Sequence, residues 1–134
     1  MSILKVDNIR DNGTGFNDVV SFQNANGTEN GRLCRAFVNF NGVGAVAMRG
    51  NFNVNSITDN GTGDYTVNFA NAMSDANYAS VSTSEHDNST ALDFLVVDGD
   101  NAPTSSAVRV NNQSNAGDAG GKRDTRFAMV AIFR

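Results

Sequence analysis

The residues best equipped for chemistry are few and scattered. His86 is the only histidine and stands in Ser84-Glu85-His86-Asp87-Asn88. An imidazole base needs a nucleophile and an orienting group close in space. Glu85 and Asp87 flank it, but successive residues of an extended chain point to opposite sides. His86 is therefore read as a solvated loop side chain. Cys34, the only cysteine, has Arg32 and Arg35 nearby in sequence, a setting that can lower a thiol pKa. With no second histidine and no nucleophile motif around it, it reads as a half-buried structural thiol. Glu29 and Glu85 are the only glutamates, so a glycosidase-like pair of carboxylates across a groove is not expected. Asp98-Gly99-Asp100-Asn101 opens like a calcium loop, but Arg109 stands where the twelfth-position glutamate belongs. Gly42-Val43-Gly44 and the glycines at 117–121 lack the lysine and helix start of a phosphate cradle. Lys122-Arg123-Asp124-Thr125-Arg126 is short and mixed in sign, and reads as a solvated strand entrance. No catalytic set, cofactor or metal site is expected, and the chain reads as a non-enzyme.

What remains is recognition by polar loops. The segments 84–90, 98–105 and 112–124 are rich in amide, hydroxyl and carboxylate groups, which can hydrogen-bond a glycan or a protein surface. Within them His86, Asn88, Asp98, Asp100, Asn101, Asn112, Gln113 and Asn115 are the candidate contact residues. An aromatic sugar platform is not expected. Tryptophan is absent, and Tyr65 and most phenylalanines fall at alternating strand positions that belong to a core.

The elements that must position these loops are strands. Asparagine and glycine are abundant, proline occurs once, and strong helix formers are scarce. Helices need such formers, whereas Asn and Gly favour turns and positive φ. Arg35–Asn41 alternates with Ala36, Val38 and Phe40 on one face. Ala45–Arg49 and Phe52–Ser56 follow, broken at Gly50. The strongest hairpin signal runs from Val54–Ile57 through Asp59-Asn60-Gly61-Thr62-Gly63 into Asp64–Phe69. Tyr65, Val67 and Phe69 point one way there. Later strands are expected at Tyr78–Thr83, Ala91–Val97, Ser106–Asn111 and Arg126–Phe133. The nearly unbroken apolar run Leu92–Val97 predicts a central strand, and the apolar run 127–133 predicts cover on both faces. Asn112–Asp124 reads as a long loop. About eight short antiparallel strands at such spacings predict an all-β domain, a β-sandwich of jelly-roll-like character. Asp-Asn-Gly-Thr-Gly occurs at 11–15 and again at 59–63; the flanks differ, so it reads as one good turn used twice rather than a repeat.

Residues 1–31 read as an extended N-terminal β arm for oligomerisation or attachment, with Leu4–Ile9 and Val19–Phe22 as strands, and 32–134 as the sandwich domain. A β arm with unpaired edges must pair with its own domain or a neighbour. The chain has 134 residues and a net charge of −4, which suits one domain and disfavours phosphate backbones and anionic membranes as partners. One cysteine forbids an internal disulfide. The start lacks the apolar stretch and cleavage site of an export signal, and no apolar run is long enough to span a bilayer. No export by a cleaved signal and no membrane insertion are expected. Sequons such as Asn12-Gly13-Thr14 and Asn88-Ser89-Thr90 read as turn chemistry.

Leu4-Lys5-Val6-Asp7-Asn8-Ile9 resembles the opening of tail-fibre-type proteins of marine phages, especially those of cyanobacteria. Arg35-Ala36-Phe37-Val38-Asn39-Phe40-Asn41-Gly42 is similar to a segment near the C-termini of those fibres. The stretch from Phe52 to Phe69, continued by Ala72-Met73-Ser74-Asp75-Ala76-Asn77-Tyr78, is more similar still. The resemblance implies a virion structural protein, usually homotrimeric, with a C-terminal β domain at an external appendage. Only a short stretch separates the opening from the later segments, where fibres carry a long shaft. A short tail fibre or fibre tip is therefore the expectation, with other virion subunits and a host-surface glycan or protein as partners. The alternative is a capsid decoration or connector protein with a purely architectural role.

Overall fold

A computed structural model describes residues 19–24, 27–85, 92–115 and 121–134. The chain divides into two units, Met1–Leu33 and Cys34–Arg134. In the first, β1 (Val19–Asn24) and β2 (Gly27–Arg32) form an antiparallel pair, with Val19 opposite Arg32 and Asn24 opposite Gly27. The expected strand at Leu4–Ile9 lies outside the described residues.

The second unit is all β. Its strands are β3 (Cys34–Asn41), β4 (Ala47–Phe52), β5 (Val54–Gly61), β6 (Asp64–Phe69), β7 (Ala79–Ser84), β8 (Asp93–Val97), β9 (Ala107–Ser114), β10 (Gly121–Lys122) and β11 (Ala128–Phe133). They make two antiparallel sheets. One has the order β4-β3-β11-β7; in the other β5, β6 and β9 lie side by side, and β8 and β10 also pair with β9. β8 shares 110–114 of β9 with both β6 and β10, so those two take the opposite edge of β9 in succession. The result is a β-sandwich.

Alternation builds the core between the sheets. Ala36, Val38 and Phe40 of β3 and Ala128, Val130 and Ile132 of β11 face Tyr65, Val67 and Phe69 of β6, with Val108 and Val110 of β9 and Leu95 of β8; all are buried. Phe40 meets Tyr65 edge to face, ring centroids 5.1 Å apart, and Phe69 meets Tyr78 at 5.7 Å, geometries aromatic quadrupoles prefer. Two tyrosines bring polar tips into this core, and each tip is bonded. Tyr65 Oη is 3.0 Å from Asp124 Oδ1 and 3.2 Å from the Gly42 carbonyl. Tyr78 Oη reaches the Thr104 and Ala107 carbonyls. Burial pushes the Tyr65 phenol up, with help from the Asp124 carboxylate, and burial alone pushes Tyr78 up to about 12.

Three expectations need correcting. The strand break after Ala45–Arg49 falls at Asn53 rather than Gly50. Asn53 has φ 53°, a left-handed conformation that asparagine tolerates better than most residues, and there the chain leaves one sheet for the other. β8 is an edge strand, paired with β9 alone. Of its apolar run only Leu95 is buried, while Phe94 and Val96 face out. β9 extends to Ser114, so Asn112 and Gln113 are strand residues and not loop residues. No helix among the described residues is long and apolar enough to cross a membrane.

Candidate association face

The outer surface of the four-stranded sheet carries the apolar side chains that the core does not use. In β3 the inward set Ala36, Val38 and Phe40 leaves Phe37 pointing out. In β11 the inward set Ala128, Val130 and Ile132 leaves Met129 and Phe133 outside. The register then aligns side chains across strands. Phe37 is opposite Ala131 on one side and Phe52 on the other, and Ala131 is opposite Val81. Directly paired residues share a face, so Val81, Ala131, Phe37 and Phe52 form one row across all four strands. Phe37 and Phe52 stack with centroids 6.3 Å apart and planes 28° from parallel. The neighbouring row is Thr83, Met129, Asn39 and Gly50. Neither row contains a charge.

These side chains are well exposed: Phe52 55%, Val81 61%, Phe37 45%, Phe133 37% and Met129 36%. Together they offer roughly 400 Å² of apolar surface, the size of the largest patch on a typical monomer, which is often functional. The expectation that 127–133 is covered on both faces is met on the core side only. At the border Arg49 lays its guanidinium carbon 4.3 Å above the Phe127 ring and donates to the Arg126 carbonyl.

The outer surface of the other sheet is of the opposite character. Ser56, Thr58, Asn60, Thr66 and Asn68 form a hydrogen-bonded ladder, with Asn68 Nδ2 donating to Thr58 Oγ1 at 2.9 Å and Asn60 Nδ2 to Thr66 Oγ1 at 2.9 Å. Beside it Asp64 is 5% exposed and accepts two bonds from Arg109, at 2.7 and 2.9 Å, and one from Lys122. The Arg109 guanidinium leads in holding its carboxyl down at about 2 against the opposing cost of desolvation, and Lys122 adds to it. Lys122 belongs to β10, so this ion cluster fixes the strand that returns from the 115–121 connection.

The described candidate contact residues are divided between two ends of β8 and β9. His86 and Asn88 lie outside the described residues. The start of β8 and the end of β9 lie together at one end of the sandwich, where Asn115 N–H donates to the Leu92 carbonyl and Leu92 N–H to Asn115 Oδ1. Asp98, Asp100 and Asn101 follow the other end of β8, a strand length away. There Asp98 is buried and closes a turn, accepting from Asp100 N–H at 3.0 Å and Asn101 Nδ2 at 2.8 Å, with Arg109 Nε at 3.4 Å. The Asp100 N–H, then the Asn101 amide, hold its carboxyl below the usual range. Asp100, Asn101 and Asn115 are exposed, and Gln113 is half-buried. Asn112 is not a surface residue: it is 0% exposed and donates to the Arg123 carbonyl at 2.9 Å. Cys34 is half-buried, with Sγ 3.2 Å from the Ala36 carbonyl. Among the described residues no group of three His, Cys, Asp or Glu side chains is placed to hold a metal ion.

The apolar face was within reach of sequence reasoning, because Phe37 and Met129 are the odd members of strands whose even members make the core, and Val81 alternates with half-buried serines. What the sequence does not supply is the pairing that lines them up. Comparisons with protein-family models, with curated proteins and with solved structures returned no match.

Proposed function

We propose that this chain is a non-catalytic structural module of a phage particle, a short tail-fibre or fibre-tip subunit that works as a homotrimer and contributes to host-surface attachment. The reading rests on the resemblance of its opening and of the segments at 35–42 and 52–78 to marine phage fibres. The observation that carries it furthest is the apolar face of the four-stranded sheet, whose two central rows hold no charge. An apolar face of this size on one chain is stabilised by covering it, at about 25 cal/mol for each Å² removed from water. Copies of the same chain meeting around a symmetry axis bury such a face without a second gene product. The polar ladder of the opposite sheet and the exposed turn at Asp100 and Asn101 then face outward, towards other virion subunits or a host glycan. The charged side chains nearby are spent on one another, as Asp64 is on Arg109 and Lys122, which favours a structural over a catalytic role.

The alternative, a capsid decoration or connector protein, uses the same face against other virion subunits. Size-exclusion chromatography with light scattering on the purified full chain tests the first reading. A trimer at micromolar concentration that becomes a monomer in Phe37→Ser/Phe52→Ser supports it. A stable wild-type monomer counts against the homotrimer. Saturable binding of the purified protein to whole host cells, lost on substituting Asp100 and Asn101, separates the attachment role from the purely architectural one. Immunogold labelling of particles tests the virion location.

A further inference from the structure

We propose that the polar end of the sandwich core binds one water molecule, held between Asp93, Asn112 and Ser84. The inward face of β9 changes character along its length. Val108 and Val110 pack into the apolar core, but the next inward positions, Asn112 and Ser114, are polar and 0% and 7% exposed. β8 continues this change, since Leu95 is opposite Asn112 and Asp93 is opposite Ser114. The Asp93 side chain is 3% exposed. β7 closes the site. Ser82 Oγ donates to the Leu95 carbonyl at 2.6 Å, which sets β7 against β8. Ser84, two residues further along β7, lies on the same half-buried side as Ser82, and we place it level with Asp93, two residues before Leu95 on β8.

Three oxygens at this end have no hydrogen-bond partner: Asp93 Oδ1, Asn112 Oδ1 and Ser84 Oγ. Buried acceptors of this kind are rarely left unpaired. Asn112 has its amide nitrogen on the Arg123 carbonyl, so its oxygen faces away from that bond. Arg123 Nη1 stands 3.8 Å from Asp93 Oδ1, beyond hydrogen-bond length. The occupant must therefore donate twice, to a carboxylate and an amide oxygen, and accept once, from a hydroxyl. Water does this with its ordinary valence, and three bonds are what buried waters typically make. A cation is disfavoured, because the Arg123 guanidinium already balances the Asp93 charge and would repel it across a few ångströms. The water ties β7, β8 and β9 together at this end of the sandwich.

The test is a crystal structure fine enough to show ordered water, together with oxygen-17 relaxation dispersion on the intact protein. The expected result is one density peak within hydrogen-bond distance of all three oxygens and one long-lived water in solution, both lost in Asn112→Leu. That variant also gives up the bond to Arg123. Ser84→Ala, which removes only the hydroxyl, is therefore measured beside it and is expected to shorten the residence time at least tenfold. The proposal is overturned if the three oxygens bond to protein donors with nothing between them. It is also overturned if the peak gains anomalous signal on rubidium exchange, which would mark a monovalent cation, or if neither variant changes the relaxation.

Discussion

At the scale of single residues, the fold depends on a few positions where chemistry or space admits one solution. Asp64 is almost wholly buried yet ionised, because Arg109 and Lys122 converge on it. Its carboxyl is held down at about 2, below the usual aspartate value of 3.8. A depressed carboxylate pKa stabilises the fold above the unfolded value, and that contribution is lost as pH falls from about 4 through about 2. Asp64→Asn should therefore cost on the order of 1–2 kcal/mol at neutral pH. It should cost far less near pH 2, as compared by urea unfolding at the two pH values; an equal loss at both would refute the linkage. Gly42 is constrained by space. A Cβ there would lie 2.2 Å from Tyr65 Oη and 2.6 Å from its ring, while the Gly42 amide is tied to the Thr125 carbonyl at 2.8 Å. Gly42→Ala must displace the tyrosine from the core and from Asp124, and should destabilise by about 3 kcal/mol. Tyr65→Phe keeps the ring and loses only its hydroxyl bonds, so it should cost about 1 kcal/mol.

At the scale of elements, the turn from β4 into β5 decides whether one ribbon can serve two sheets. Asn53 holds φ 53° and spends its side chain on both flanks. Its Nδ2 donates to the Arg35 and Asn71 carbonyls, and its Oδ1 accepts from Asn71 N–H at 2.8 Å. Asn53→Ala loses the bonds and strains the backbone, for about 2–3 kcal/mol. Asn53→Gly loses the bonds alone and should recover about 1 kcal/mol of that by thermal unfolding. The sequence makes the β5–β6 hairpin legible, because alternation at Tyr65, Val67 and Phe69 and an Asn-Gly turn agree on one register. It does not make β8 legible. A run of apolar residues looks the same whether both faces lie in one core or one face awaits a partner, so Phe94 and Val96 suggested a centre where the chain has an edge. Asn112 misled for the opposite reason. Its neighbours have the composition of a loop, but the inward face of β9 turns polar at that end, and an amide can be buried where Arg123 supplies its partner. Topology also divides the contact residues, since β8 carries Asp98 to the end opposite Asn115 and nothing in their spacing records that.

At the scale of the whole molecule, the two outer faces predict how copies of the chain should meet. Association through the rows of Val81, Ala131, Phe37 and Phe52 and of Thr83, Met129, Asn39 and Gly50 brings no charge into the interface, whereas the net charge of −4 spreads a weak mutual repulsion over the rest. Sodium chloride then acts only on the repulsion, and at ~0.5 M it screens charges beyond a few ångströms. The association constant should stay level or rise slightly with salt. An interface built on Lys–Asp pairs would weaken instead. Because apolar burial near room temperature is driven by the entropy of water, cooling should loosen the assembly, and sulfate should tighten it. The double substitution Phe37→Ser/Phe52→Ser removes the stacked pair without touching the core beneath, where Val38 and Phe40 point the other way. It should therefore abolish association while leaving the Tm of the monomer within a few degrees. Sedimentation velocity across salt and temperature, on wild type and this variant, measures all of these responses. Assembly that persists in the variant, or that dissolves as salt is raised, would mean the copies meet elsewhere and that the apolar sheet face belongs to a different partner.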